Sequence, residues 1–228
     1  MILCGGDEAG RGALIGPLVV ALVSLRKSQI YKLPKLGVRD SKLLSPKKRS
    51  ILYDSIMEMA EEVNVGKITP SEINDAMRNK ISLNELEAIH FAKLLDKSKM
   101  DTHSVYLDSP DVIEEKFGIR IRMLSTKNTM VHGAKNNNPL PHAIKIISEH
   151  KADSKYPIVS AASIIAKVER DKEVAKLSKL LKIDIGSGYP SDYKTINSIR
   201  NNIHNQELNK YVRAYWKTIE NIKQTKLF

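Results

Sequence analysis

Ile2-Leu3-Cys4-Gly5-Gly6-Asp7-Glu8-Ala9-Gly10-Arg11-Gly12 is the stretch on which the reading of this chain turns. Ile2 to Gly6 has the character of a short apolar strand, and it runs directly into two adjacent carboxylates. After Gly12 the chain is again apolar from Leu14 to Leu25, broken by Gly16-Pro17. Carboxylates set between hydrophobic segments are costly to desolvate unless a cation compensates them. An oxygen-rich site of this kind suits Mg²⁺ or Mn²⁺. Gly10-Arg11-Gly12 would let backbone approach a ligand closely while placing one guanidinium beside it. Metal, phosphate and close backbone contact together describe a phosphodiester-cleaving site. The plainer alternative is an Asp- and Gly-rich turn between two strands.

The whole-chain numbers lean the same way. The 228 residues carry 37 Lys and Arg against 26 Asp and Glu, a formal net charge of +11, which favours a polyanionic partner. A surplus of charge for solubility would give the same count. The lone cysteine, Cys4, excludes an internal disulfide and fits a reducing compartment. The run from Ala13 to Leu25 is too short to span a bilayer and does not resemble a signal peptide. A cytoplasmic monomer is expected.

Outward from the first strand the pattern is mixed α/β. Leu14 to Leu25 reads as a buried strand pair, and residues 28–44 as a basic, irregular stretch. Ser45-Pro46 opens a helix to about Val63, with Ser as cap and Pro in the first turn. Thr69-Pro70-Ser71-Glu72 starts a short helix, and Ser82-Leu83-Asn84-Glu85 has the capping-box spacing for a longer one. Ser104 to Asp108 reads as a strand ending in an acid, Pro110 to Phe117 as helix and Gly118 to Leu124 as a further strand. Residues 125–142 contain no carboxylate and read as a loop, followed by a strand over Ala143–His150. A long helix follows from Ile158 to about Leu181, broken at Gly186-Ser187-Gly188-Tyr189-Pro190. The basic, helical remainder suggests a division into a catalytic domain, 1–185, and a C-terminal substrate-binding segment, 186–228.

Four acids lie at or beside the expected strand ends: Asp7, Glu8, Asp108 and Asp153. Strands that end at one sheet edge can focus such carboxylates on one point, which is what a two-metal phosphodiesterase needs. Taken singly, Asp108 also reads as a helix cap and Asp153 as a solvated loop acid. Asp40-Ser41-Lys42 offers a hydroxyl and an ammonium for a backbone phosphate. Ser160 and Ser163 fall early in the long helix, where free N–H groups favour an anion, although helix capping would explain them equally. Lys167, one turn on, is placed to pair with phosphate or with the acids.

Five stretches in order carry a family resemblance: Asp-Glu-Ala-Gly-Arg-Gly at 7–12, Asp-Ser-Lys at 40–42, His-Lys-Ala-Asp-Ser-Lys-Tyr-Pro at 150–157, Val-Ser-Ala-Ala-Ser-Ile-Ile-Ala-Lys-Val at 159–168 and Gly-Ser-Gly-Tyr-Pro-Ser-Asp at 186–192. Together they resemble ribonuclease H type 2 (ribonuclease HII), in its archaeal single-subunit form. The resemblance implies a ribonuclease H-like mixed sheet flanked by helices, with a C-terminal helical segment. It implies an endonuclease that cuts the RNA strand of RNA–DNA hybrids and cuts 5′ to single ribonucleotides in duplex DNA, by two metal ions, leaving 3′-hydroxyl and 5′-phosphate ends. In that family's pattern Asp7, Glu8, Asp108 and Asp153 match the metal-binding acids. Gly10, Arg11 and Gly12 match the stretch whose backbone meets the ribonucleotide's 2′-hydroxyl, and Tyr189 matches the tyrosine that stacks on the next sugar. A 2′-hydroxyl is what separates RNA from DNA at a single position. One departure is clear: 44 residues separate Asp108 from Asp153, more than the family leads one to expect, with the excess near 125–142 and its His132 and His142.

Two other readings compete. Another ribonuclease H-like nuclease acting on DNA would share the acids but have no ribose for Gly10–Gly12 and Tyr189 to read. A non-catalytic nucleic-acid-binding module would use only the positive charge, yet acids beside phosphate are counterproductive unless a cation intervenes. Finally, Gln224-Thr225-Lys226-Leu227-Phe228 looks like a sliding-clamp-binding motif, with Gln224, Leu227 and Phe228 as its contacts and the later aromatic positions missing. The alternative there is a frayed hydrophobic terminus.

Overall fold

The structure, a computed structural model, describes residues 1–127, the backbone of 129–131, and 143–224. His132, His142, Leu227 and Phe228 lie outside the described residues. A six-stranded mixed sheet has the order β3-β2-β1-β4-β6-β5, built from β1 (Ile2–Ala9), β2 (Leu18–Arg26), β3 (Glu62–Ile68), β4 (Thr102–Asp108), β5 (Thr129–Val131) and β6 (Ile144–Glu149). The β1–β4, β4–β6 and β5–β6 pairs are parallel. The helices are α1 (Lys27–Ile30), α2 (Lys32–Leu36), α3 (Pro46–Met59), α4 (Pro70–Arg78), α5 (Leu83–Lys97), α6 (Glu114–Leu124), α7 (Ala152–Lys155), α8 (Pro157–Leu181), α9 (Tyr193–Asn201), α10 (Gln206–Asn209) and α11 (Lys217–Gln224). Among the described residues, no helix is long and apolar enough to cross a membrane.

The chain forms two compact units whose segments alternate along the sequence. One takes Met1–Glu8, Val20–Gly66 and Asn84–Val168; the other takes Ala9–Val19, Lys67–Leu83 and Glu169–Phe228, and so draws in residues well before the break at 185/186. In the first, Leu22, Phe91, Val105, Leu107, Phe117 and Ile146 are buried, with the Phe91 and Phe117 rings edge to face at 5.8 Å. Gly5 is required here: a Cβ on it would lie 2.3 Å from the carbonyl oxygen of Ile158, so only glycine lets β1 approach the start of α8. The second unit has its own core of Leu14, Ile15, Val174, Ile185, Ile199 and Val212.

Several local expectations hold for the physical reasons given. Ser45 caps α3 by accepting the Lys48 N–H, and Thr69 with Glu72 makes a capping box on α4. Others need correction. Leu14–Leu25 is not a strand pair: Ala13–Pro17 is loop, with Gly16 at φ +87°, and a single strand, β2, starts at Leu18. Residues 28–44 are not irregular throughout, since α1 and α2 lie there, the latter ended by Gly37 at φ +89°. The helix from Pro46 stops at Met59, and Glu62–Ile68 is the edge strand β3. Pro110–Phe117 is helical only from Glu114, and Gly118–Leu124 is the remainder of that helix rather than a strand. Ile-Arg-Ile-Arg imitates strand alternation, yet the side chains buried are Phe117 and Ile121, four apart, which is the spacing of a helix face.

Candidate active site

The parallel pairing of β1 with β4 makes the acid cluster. Gly6 is in register with Leu107, so Asp7 and Asp108 each come one residue later, at the same end of neighbouring strands. Carboxylate oxygens of Asp7, Glu8 and Asp108 lie within 4.8 Å of one another. β6 contributes from the other side. It pairs with Asp108 through Glu149, and after a turn in which Lys151 is left-handed (φ +55°) the chain enters α7. The Ala152 N–H of that short helix donates to Asp108 Oδ1 at 2.8 Å. This bond ties the third acid to the segment that carries the buried Asp153. Asp153 is thus on a short helix, not at a strand end, and falls outside the three-acid group. Its charge still acts on Asp108 and on Lys42. Asp108 is an acceptor from α7 and not the cap of a following helix.

The cluster is electrostatically strained. Burial, then the neighbouring Glu8, push the Asp7 carboxyl well above its usual range, with Asp108 adding to the rise and the Ser163 hydroxyl opposing it. Asp108 is pushed up to about 6, first by burial; the Ala152 N–H works against this, while Glu8 and Asp153 add to it. Lys42 is pulled down by burial, but Asp40, Asp153, Asp7 and Glu8 outweigh that and raise it. The Asp40-Ser41-Lys42 turn is therefore built beside the acids. Asp40 caps it by accepting the Lys42 N–H at 2.9 Å, and Arg49 donates to the carbonyls of Ser41 and Leu44 from beneath.

Ser160 and Ser163 do not offer a free helix terminus. Because α8 begins at Pro157, the Ser160 N–H already donates to the Tyr156 carbonyl. The Ser160 hydroxyl donates to the Asp153 carbonyl, and that of Ser163 shares a 2.9 Å hydrogen bond with Ser41. The two hydroxyls thus bond the segment that carries Asp153 and the Asp40 turn. Lys167 is half-buried further along α8.

Gly10, Arg11, Gly12 and Tyr189 belong to the second unit. Gly10 has φ +95°, and its carbonyl accepts the Ala13 N–H at 3.1 Å. The loop it opens is joined to the Gly186–Tyr189 turn through Leu14 N–H to the Gly188 carbonyl, 2.7 Å. A Cβ on Gly12 would meet nothing within 4 Å, so the protein itself does not require glycine there. Tyr189 is half-buried and lies against the guanidinium of Arg170, 4.4 Å from the ring centroid.

The sequence reading passed over two buried arginines, Arg170 and Arg213, each fully enclosed. Arg213 donates to the carbonyls of Arg11 and Gly16. For Arg170 a signal existed: it falls between Ala166 and Val174 at four-residue spacing, on the stripe of α8 that is otherwise apolar and buried.

Comparison with known proteins decides the family. Residues 4–219 match the family described as Ribonuclease HII. The chain belongs to the ribonuclease HII family. It is 42% identical to the ribonuclease HII of Methanosarcina acetivorans over 226 residues, covering 98% of this chain and 96% of that one. The crystal structure of ribonuclease H2 from Pyrococcus horikoshii superposes with a TM-score of 0.83 at 36% identity, covering 99% and 98% of the two chains. The structure of a PCNA:RNase HII complex from Archaeoglobus fulgidus gives 0.79 at 36% identity, covering 95% and 96%. As a ribonuclease HII, this protein is a ribonuclease H, a phosphodiester hydrolase, and Asp7, Glu8 and Asp108 form an acidic group of the kind a divalent cation occupies.

Proposed function

We propose that this ribonuclease HII hydrolyses the RNA strand of RNA–DNA hybrids and cuts 5′ to single ribonucleotides in duplex DNA, leaving 3′-hydroxyl and 5′-phosphate ends. The observation that carries this is the convergence of Asp7, Glu8 and Asp108, with the Asp7 and Asp108 carboxyls raised by burial and then by neighbouring acids. Hard oxygen donors under such mutual repulsion fit Mg²⁺ or Mn²⁺, with Asp153 as a fourth candidate ligand. When bound, two such ions would supply Lewis acidity at the scissile phosphate and activation of the attacking water.

The remaining chemistry belongs to the chain's own groups. The Ala152 N–H and the Ser163 hydroxyl hold Asp108 and Asp7 in place. Lys42 supplies a cation for a phosphate oxygen, oriented by the capped turn at Asp40 with Ser41 beneath it. Gly10, Arg11 and Gly12 start two residues after Glu8 in the chain, and their backbone reads the 2′-hydroxyl. The open space at Gly12 suits a close approach by a sugar from outside the chain. Tyr189 packs on the next sugar and favours one that lacks a hydroxyl.

Cleavage of an RNA–DNA hybrid, an RNA duplex and a DNA duplex side by side, in EDTA and in Mg²⁺ or Mn²⁺, tests the reading. Metal-dependent cutting confined to the RNA strand of the hybrid is expected. Equal cutting of the DNA duplex would favour a DNA nuclease, and salt-sensitive binding without turnover would favour a binding module. The related Archaeoglobus protein was seen with PCNA. We extend that partner class to this chain: Gln224, Leu227 and Phe228 would engage a sliding clamp, raising the enzyme's effective concentration on encircled DNA.

A further inference from the structure

Arg170 is enclosed on every side (0% exposed), in the second unit; among the described residues no carboxylate pairs with it in the usual bidentate way, and the ion pair it makes is with Asp171 at 3.5 Å. Its guanidinium instead spreads over three features of one region. Nη1 donates to the Ser187 carbonyl and Nη2 to the Ile15 carbonyl at 3.4 Å, while Nε has no hydrogen-bond partner. The plane lies against the Tyr189 ring at 4.4 Å. Two glycines make room for it. A Cβ on Gly188 would be 2.5 Å from Nη2, and one on Gly10 would be 3.3 Å from Nε.

Enclosing a guanidinium with an unsatisfied nitrogen is costly, and a hydrocarbon of similar volume would fill the same space without that cost. What a hydrocarbon cannot do is bind two carbonyls from separate loops and also present a cationic plane to an aromatic face. Ile15 belongs to the loop opened by Gly10, and Ser187 to the turn that carries Tyr189. Arg170 therefore touches the Gly10 loop, the 186–189 turn and the Tyr189 ring together. Arg213, a second enclosed arginine, donates to Arg11 and Gly16 and lies near Trp216.

We propose that Arg170 is the positioning residue of sugar discrimination: it fixes the plane of Tyr189 and its offset from the Gly10–Gly12 loop, so that the two readers keep the spacing of one nucleotide step. Arg170 acts through Tyr189 and does not touch substrate. The proposal rests on the reading of Tyr189 as the group that tests the following sugar. Loss of the fork should let the ring tilt, which harms cleavage at an RNA–DNA junction more than cleavage within a continuous hybrid, where no junction is selected.

The test uses the full chain with Arg170→Lys, Tyr189→Ala and the double variant. For each, kcat/KM is measured on duplex DNA with one ribonucleotide and on a continuous hybrid, with thermal melting as the fold control. Arg170→Lys keeps the charge but loses the planar fork that bonds both carbonyls, and should lower the single-ribonucleotide to hybrid ratio about tenfold, the scale of one charge-assisted hydrogen bond. Tyr189→Ala should lower it at least as much, and the double variant no further than Tyr189→Ala alone. An Arg170→Lys ratio equal to wild type, with melting or both rates reduced together, overturns the proposal, as do additive losses in the double variant. If Tyr189→Ala itself leaves the ratio unchanged, the reading of Tyr189 fails first. If only Arg170→Lys leaves it unchanged, the failure is that of Arg170 alone. Where Arg170→Lys does not fold, pentafluorophenylalanine at position 189 replaces it in the test. Reversing the ring's quadrupole should lower the ratio relative to Tyr189→Phe, and equal ratios overturn the proposed stack.

Discussion

Asp108→Asn should make the metal-free protein more stable at pH 8 while crippling it as an enzyme. Asparagine keeps the oxygen that accepts the Ala152 N–H and removes the charge. In the folded protein the Asp108 carboxyl is raised from 3.8 to about 6, so between those values the native state binds a proton that the unfolded chain releases. Stability contributed by this group is therefore present at low pH and is lost as pH rises through about 6. The full difference corresponds to about 3 kcal/mol. Because the carboxyl is only half-buried, solvent screening reduces this to about 1–2 kcal/mol. For a chain of this length that is a rise in Tm of roughly 3–6 °C for Asp108→Asn in EDTA at pH 8. At pH 5 the gain should fall to about half, because the unfolded chain's carboxyl is still ionised there, and it should vanish only below about pH 3.8. Calorimetry at both pH values, in EDTA and then in Mn²⁺, reads all of this. In Mn²⁺ the wild type should gain more than the variant, because the ion stabilises the ionised cluster. A variant less stable than wild type at pH 8, or a gain that does not depend on pH, would refute the claim that burial and the neighbouring acids raise the Asp108 carboxyl.

Asp7→Asn should keep the fold, with equal or higher stability in EDTA, and abolish cleavage at saturating Mg²⁺; wild-type-like turnover would remove Asp7 from the metal set. Gly12→Ala should melt within about 1 °C of wild type, since its Cβ enters open space, yet lose at least about tenfold in kcat/KM on ribonucleotide-containing duplex; retained activity would dissociate Gly12 from the sugar. Gly5→Ala should cost about 3 kcal/mol or more in urea unfolding, because its Cβ would meet backbone at Ile158 that cannot rotate away; a cost under about 0.5 kcal/mol would mean that β1 and α8 separate freely. Deleting residues 224–228 should abolish binding to the host's sliding clamp in a pull-down while cleavage of free duplex is unchanged; clamp binding that survives the deletion would place the contact elsewhere.

Much of the site was legible because its chemistry is concentrated in short stretches. Asp7 and Glu8 announce themselves as acids on an apolar strand, and Asp108 as an acid ending another. What brings them together, the parallel register of β1 with β4, is a long-range fact that no local pattern contains. Asp153 was recognised by its surrounding residues, but its place on α7 depends on the left-handed turn at Lys151, which lysine gives no reason to expect. The edge strand β3 is hard to read because Glu62–Ile68 has three polar residues and a glycine among its three apolar ones, and sheet pairing outweighs that weak preference. The strand read into Gly118–Leu124 failed for the opposite reason, a period of two in the sequence overridden by burial of Phe117 and Ile121. For Ser160 and Ser163 the sequence leaves anion binding and helix capping both open, because the hydrogen bonds around the first turn of α8 are not legible in it. Once Pro157 is the first residue, their hydroxyls are found serving Asp153, Ser41 and Asp7. Arg170 escaped notice because a cation on a buried helix stripe contradicts simple hydrophobic patterning.

Mapping the cut in a DNA duplex with one embedded ribonucleotide tests the central claim most directly. The account predicts a single incision on the 5′ side of the ribonucleotide, leaving 3′-hydroxyl and 5′-phosphate ends, dependent on Mg²⁺ or Mn²⁺ and absent in EDTA. Incision at any other linkage, equal incision of the all-DNA duplex, or turnover that persists in EDTA would contradict it.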